Sequence, residues 1–131
     1  YLEDGNNPDE PGWFLQWLQQ RDSVHAYTFD EAWFDIGTPE SYLEAVGWKL
    51  DGENQIADSA TVENTTLGDN VHVMPGAEVV NSSVNNSIVF PSATIQDCDI
   101  RDSIIDEKTR VENMDLAGAL IGAHTQILNG E

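Results

Sequence analysis

The stretch VFPSATIQDCDIRDSIIDEKTRV, residues 89–111, decides the fold of this chain. Its aliphatic residues recur at steps of five or six, and after sixteen residues the pattern starts again. Outward from this stretch, the same pattern covers residues 56–127 with one coil of seventeen. An internal repeat of this kind indicates a solenoid. The axial aliphatics, as we name the repeated positions, are Ile56, Val62, Leu67, Val73, Val79, Val84, Val89, Ile95, Ile100, Ile105, Val111, Leu116, Ile121 and Ile127.

The residue two positions before each axial aliphatic, from Val62 onward, is uncharged. Residues two apart on a strand point to the same side, so both sets face one interior. Three short strands per coil then form a triangular prism around an aliphatic axis. This second inward set is Ala60, Thr65, Val71, Ala77, Ser82, Ser87, Ala93, Cys98, Ser103, Thr109, Met114, Ala119 and Thr125. Because Cys98 belongs to it, we expect that cysteine to pack in the interior and not to act as a nucleophile.

The repeat resembles the hexapeptide-repeat, left-handed β-helix family over residues 56–128. The left hand is implied by this resemblance, because spacing alone carries no handedness.

One outer face of the predicted prism is apolar, whereas the equivalent positions on the other two faces are polar. In so acidic a chain, an exposed apolar face indicates a partner surface. Two partners stay open: the preceding part of the chain with its Trp-bearing helix, or a symmetry mate in a homo-oligomer. The predicted interface residues are His72, Met74, Ile88, Phe90, Ile104 and Leu120.

The first 47 residues predict two helices. Pro11 suits a first helical turn, and Trp13 and Trp17 lie on one side of a helix that runs to about Arg21. A second helix starts after Thr38 as N-cap, with Pro39 and Glu40 in its first turn. Its apolar face is formed by Tyr42, Leu43 and Val46.

Two short apolar runs between these helices predict strands, HAYTF at 25–29 and AWFDI at 32–36. A unit of this size buries too little surface to fold alone. We therefore expect residues 1–47 to pack against a further layer.

The runs AWFDIGTPESYLEA (32–45), PGWFLQWL (11–18) and VHAYTFD (24–30) resemble the end of the catalytic domain of sugar nucleotidyltransferases, in particular the glucose-1-phosphate thymidylyltransferases. The resemblance implies a Rossmann-like α/β domain that couples a nucleoside triphosphate to a sugar 1-phosphate and releases pyrophosphate. The glycine-rich nucleotide loop of that family has no counterpart in these 131 residues.

By the same resemblance, Asp35 is one of two carboxylates that hold the catalytic Mg²⁺. A hard cation that bridges phosphates needs one or two such carboxylates. The structural alternative is that Asp35 ends a strand and accepts hydrogen bonds from the N–H groups of Gly37 and Thr38.

We therefore expect a mainly β chain, with a left-handed parallel β-helix of sixteen-residue coils over residues 50–131. Residues 1–49 are expected to be the small α/β end of the catalytic domain. The expected function is that of the C-terminal part of a sugar-1-phosphate nucleotidyltransferase, inactive by itself, with the β-helix serving assembly or regulation. The alternatives are an acyltransferase that acts on an amino sugar and a non-catalytic oligomerisation module. The nucleotide and the sugar stay open.

The charge of the chain is global. It carries 24 acidic and five basic residues, a net charge of −19, with ten of the acids in residues 1–47 and fourteen after them. Such self-repulsion is typical of proteins from salt-rich cytoplasm, and it disfavours nucleic acid as a partner. A single cysteine and the lack of a long apolar run predict a cytoplasmic protein without a membrane span or signal peptide.

Overall fold

The computed structural model describes residues 1–130. It forms two compact units, Tyr1–Trp33 and a second that begins at Phe34. The first unit contains helix α1, Pro11–Leu18, and the second contains helix α2, Pro39–Leu50, followed by fourteen short strands. The strands are β1 Gln55–Ile56, β2 Thr61–Glu63, β3 Thr66–Leu67, β4 His72–Val73, β5 Glu78–Val80, β6 Ser83–Asn85, β7 Ile88–Val89, β8 Thr94–Gln96, β9 Asp99–Arg101, β10 Ile104–Ile105, β11 Arg110–Glu112, β12 Leu116–Ala117, β13 Leu120–Ile121 and β14 Gln126–Leu128.

Every third strand pairs in parallel, which builds three sheets around one axis. Sheet A has the order β1-β4-β7-β10-β13, sheet B β2-β5-β8-β11-β14 and sheet C β3-β6-β9-β12. In sheet A, Val89 pairs with Val73 on one side and with Ile105 on the other, which is the predicted sixteen-residue register. The predicted fold class is confirmed: the chain is mainly β and forms a parallel β-solenoid of nearly five coils, consistent with the left-handed hexapeptide β-helix.

The interior of the solenoid contains the two sets of residues that the repeat predicted. The axial aliphatics from Val73 to Val111 are buried, those nearer the ends are partly buried, and Ile56 at the start is exposed. Cys98 is buried among them, as expected, and its thiol donates to the Gln96 carbonyl over 3.0 Å. Because burial disfavours the thiolate, the pKa of Cys98 is raised.

Serine hydroxyls join neighbouring coils inside this interior. The Ser87 Oγ donates to the Asn85 carbonyl over 2.7 Å and accepts from the Ser103 N–H over 3.0 Å. The Ser103 Oγ accepts in turn from the Ala119 N–H over 3.0 Å. These bonds satisfy polar groups that would otherwise be costly to bury.

After the first corner, between β1 and β2, every corner between consecutive strands turns through a residue with left-handed backbone. Glycine, asparagine and aspartate tolerate this conformation best, yet Ser92, Lys108 and His124 also adopt it. A different constraint applies at Gly68, where a Cβ atom would lie 2.1 Å from the Asn85 Oδ1. The left-handed corner residues are Asn64, Asn70, Gly76, Asn81, Asn86, Ser92, Asp97, Asp102, Lys108, Asn113, Gly118 and His124.

The two helices begin where the sequence predicts. The Thr38 side chain accepts from the Ser41 N–H while the Ser41 hydroxyl accepts from the Thr38 N–H, which forms a reciprocal cap for α2. Helix α1 ends at Leu18, one turn earlier than the predicted end near Arg21, and is followed by hydrogen-bonded turns. Neither helix of the described chain is long and apolar enough to cross a bilayer.

The predicted strands at 25–29 and 32–36 are wrong. Within residues 19–54, all of which the structure describes, no strand forms. A strand exists only through hydrogen bonds to a neighbouring strand, and local apolar composition does not supply that neighbour. Tyr27 is accordingly 88% exposed. The predicted boundary between the end of a catalytic domain, residues 1–49, and the β-helix, residues 50–131, stays a prediction.

Candidate functional site

Helix α2 lies on the apolar outer face of sheet A. Leu43 from the helix packs against Ile88 and Ile104, whose side chains point away from the solenoid axis. All three are buried, and this outer cluster is separate from the axial core. Tyr42, Val46, Met74 and Phe90 surround it and are partly buried. The solenoid therefore has two apolar clusters, one along its axis and one beneath α2.

The six predicted interface residues all lie on or beside the outer face of sheet A. Four of them pair in sequence along sheet A: His72 with Ile88, Ile88 with Ile104, and Ile104 with Leu120. Helix α2 covers the middle of this row, whereas Leu120 is 60% exposed. Their role as an interface with a further domain or a second copy stays a prediction. Partial burial lowers the pKa of His72.

The backbone around Asp35 is attached to α2 on both sides. Before it, the Phe34 ring lies 5.6 Å from the Trp48 ring, measured between centroids. After it, the N–H groups of Gly37 and Thr38 both donate to the Ser41 Oγ over 3.1 Å. These anchors hold a short segment in place around the aspartate.

The structural alternative for Asp35 is wrong. The turn N–H groups that it was expected to bind have Ser41 as their acceptor instead. The Asp35 side chain is exposed, and no described residue donates a hydrogen bond to it. Its carboxylate is therefore an unengaged anion on an anchored backbone.

An apolar groove of about 340 Å³ runs between this segment and the solenoid. Ile36 and Thr38 form one side of the groove. Phe90, Ile104 and Leu120 form the other side. The residue that follows Asp35 therefore shares a groove with the outer face of sheet A.

The segment around Asp35 offers a metal ion one carboxylate, that of Asp35. In the part of the chain that the structure describes, no three His, Cys, Asp or Glu side chains converge to hold a metal. Mg²⁺ keeps several waters and takes one or two carboxylates together with substrate phosphates. The exposed Asp35 carboxylate fits as one such ligand, provided that further oxygens come from outside this segment.

The histidines do not form an acyl-transfer site together. His72 lies on β4, whereas His124 lies at a corner beyond β13, with its Nε2 4.0 Å from the Glu107 Oε1. They lie three coils apart, in the second and the fifth coil of the solenoid. A site that uses either one needs its other groups from elsewhere.

Sequence reasoning missed the residues that anchor Asp35. Ser41 was detectable, because Thr38-x-x-Ser41 is the spacing of a reciprocal N-terminal cap. Trp48 carried no signal, because its partner Phe34 was assigned to a strand that does not form.

One family model matches the repeat region. It is described as GlmU-like, C-terminal hexapeptide, and it covers residues 50–126, more than half of the chain. A search of curated proteins found no match.

Proposed function

The chain belongs to the GlmU-like, C-terminal hexapeptide family, and from this premise we propose that it is the C-terminal part of a sugar-1-phosphate nucleotidyltransferase. On this proposal the catalytic domain ends near residue 49 and the β-solenoid serves assembly or regulation. The enzyme acts in the cytoplasm as a homo-oligomer and is similar to glucose-1-phosphate thymidylyltransferases. Its substrates are a nucleoside triphosphate and a sugar 1-phosphate.

The observation that carries the proposal is the state of Asp35. Its carboxylate has no structural partner among the described residues, while the backbone on both sides is anchored to α2. A side chain that only ended a strand or closed a turn would use its oxygens locally. An exposed carboxylate in a fixed position is instead suited to a ligand that arrives with the substrate.

The reaction explains why a metal ligand is needed in so acidic a protein. Net charge −19 opposes the approach of a triphosphate. When bound, Mg²⁺ neutralises phosphate oxygens and stabilises the charge that develops on the leaving pyrophosphate. Asp35 would hold this ion, and the anchors at Phe34, Gly37 and Thr38 would keep its carboxylate oriented.

The test is pyrophosphate release by the complete parent protein in molar KCl, with a panel of nucleoside triphosphates and sugar 1-phosphates. Asp35→Asn should reduce turnover by more than the roughly 10–100-fold that loss of an outer-shell metal partner costs. Asp30→Asn is the matched control, because it makes the same charge change at an exposed position five residues upstream. Equal turnover in all three proteins would refute the role of Asp35, and no release from any substrate pair would refute the nucleotidyltransferase.

A second candidate is an acyltransferase in the solenoid itself. The family match favours it because residues 50–126 cover nearly all of the repeat region. Such chemistry needs a general base, most often histidine. Transfer from acetyl-CoA to an amino sugar phosphate, lost in His72→Ala or His124→Ala, would support it. A native mass above the monomer without either activity would favour the oligomerisation module.

A further inference from the structure

We propose that the outer face of sheet A positions Asp35. Helix α2 packs on Ile88 and Ile104, and this contact fixes the segment that carries the Asp35 carboxylate. Ile88 and Ile104 are then positioning residues, since they act through α2 and touch no substrate. The chemical purpose of this arrangement rests on the proposed function, whereas the mechanical link concerns only residues of the second unit.

The first step of the link joins the solenoid to the helix. Ile104 is 6% exposed and packs against Leu43 of α2. Its neighbour Ile105 points to the opposite side and belongs to the axial core. Because the two clusters are separate, a change at Ile104 can loosen the helix without opening the solenoid.

The second step joins the helix to the Asp35 segment. Ser41 lies two residues before Leu43 and accepts the N–H groups of Gly37 and Thr38. Trp48, near the other end of α2, contacts Phe34. The two attachments enclose Asp35, so its backbone follows any movement of the helix.

The groove described above lies beside the same link. Ile36 follows Asp35 in the chain and lines the groove whose other side is Phe90, Ile104 and Leu120. The outer face of sheet A therefore packs on α2 beneath Leu43 and faces the Asp35 segment across the groove at Ile36.

A purely structural role for α2 would also explain the buried cluster, because an apolar sheet face needs cover. The two roles differ in what happens at Gly37 and Thr38. If α2 only covers the face, loosening it leaves the turn around Ser41 intact, because that turn is local to the helix start. If the face positions Asp35, the turn loosens together with the helix.

Amide hydrogen exchange of the full 131-residue chain in molar KCl separates these outcomes. We expect Ile104→Ser to speed exchange of Gly37, Thr38 and the α2 amides about tenfold or more, with axial amides such as Val79 unchanged. Val80→Ser is the control, because Val80 also points outward, on sheet B, where it is partly buried and has no contact with α2. Unchanged exchange at Gly37 and Thr38 would overturn the proposal.

A second variant covers the case in which Ile104→Ser unfolds the solenoid. Leu43→Ala removes the same contact from the helix side and leaves every strand unaltered. It should give the same pattern of faster exchange, and exchange confined to residues after Leu43 would overturn the proposal.

The complete parent protein supplies the final measurement, the Mg²⁺ concentration that gives half-maximal pyrophosphate release. We expect Ile104→Ser to raise this concentration at least severalfold, with a smaller effect on the rate at saturating Mg²⁺. An unchanged Mg²⁺ dependence despite faster exchange would overturn the positioning of Asp35. If the parent releases no pyrophosphate at all, the proposed function fails, and the exchange pattern alone decides the mechanical link.

Discussion

Replacing Ile105 by alanine should destabilise the solenoid far more than the same replacement at Ile121. Ile105 is fully buried and lies between Val89 and Ile121 in adjacent coils. The change removes three carbon groups, each contributing about 0.8 kcal/mol when buried. The cavity that remains brings the expected loss to about 2–5 kcal/mol.

Ile121 lies on β13, the last strand of sheet A, and is only partly buried. Part of the Ile121 side chain is already in contact with water, and fewer residues surround it, so its removal leaves a smaller cavity. We expect a loss of about 1 kcal/mol. The comparison keeps the chemical change constant and varies only the position along the axis.

The assay is urea unfolding at constant molar KCl, followed by far-UV circular dichroism. Solenoids can unfold repeat by repeat, so the two variants are comparable only if the slope of free energy against urea is the same. Equal losses at Ile105 and Ile121 would refute the reasoning, because they would mean that burial along the axis does not set the contribution of each coil.

Three further predictions follow from single positions. Gly68→Ala should cost more than about 1 kcal/mol, because its Cβ would lie 2.1 Å from the Asn85 Oδ1 and displace the bond that this oxygen accepts from the Asp69 N–H; Gly122→Ala, with open space at its Cβ, should cost little in the same melt. Ser92→Gly should stabilise the chain, because Ser92 has a φ of 59°, whereas Ser83→Gly in strand β6 should destabilise it by about 0.5–1 kcal/mol; the same sign at both positions would contradict the corner geometry. Burial lowers the pKa of His72, so its contribution to stability is present above about pH 6.5 and is lost as the pH falls through the lowered value in the folded state. His72→Gln should therefore flatten the stability change between about pH 7.5 and 5, measured by the same urea unfolding at each pH.

The solenoid was predictable because its sequence signal and its structure have the same period. Sixteen-residue spacing places Val79, Ile95 and Val111 in register, and the burial of each follows from the alternation along its strand. The strands expected at 25–29 and 32–36 failed because apolar composition is local, whereas a strand needs a partner.

The site was predictable only in part. An apolar face on α2 and an apolar face on sheet A were both visible in the sequence, but their contact depends on the path of the chain through Asp51 and Gly52, which both have left-handed backbone. The surroundings of Asp35 depended on a competition for two N–H groups. Ser41 accepts both hydrogen bonds, because the helix cap brings its hydroxyl close to the N–H groups of Gly37 and Thr38.

The register of the coils has an evolutionary consequence. An in-frame duplication that encodes one sixteen-residue coil, inserted after Val111, would repeat all three corners and continue each sheet by one strand. The gene product would grow by about 4.8 Å along its axis, and a copy of the coil that contains Ile104 would come between Ile104 and Leu120, its partner in sheet A. Because Leu120 also lines the groove beside Ile36, lineages that change the number of coils at this end of the prism also change the surroundings of the Asp35 segment.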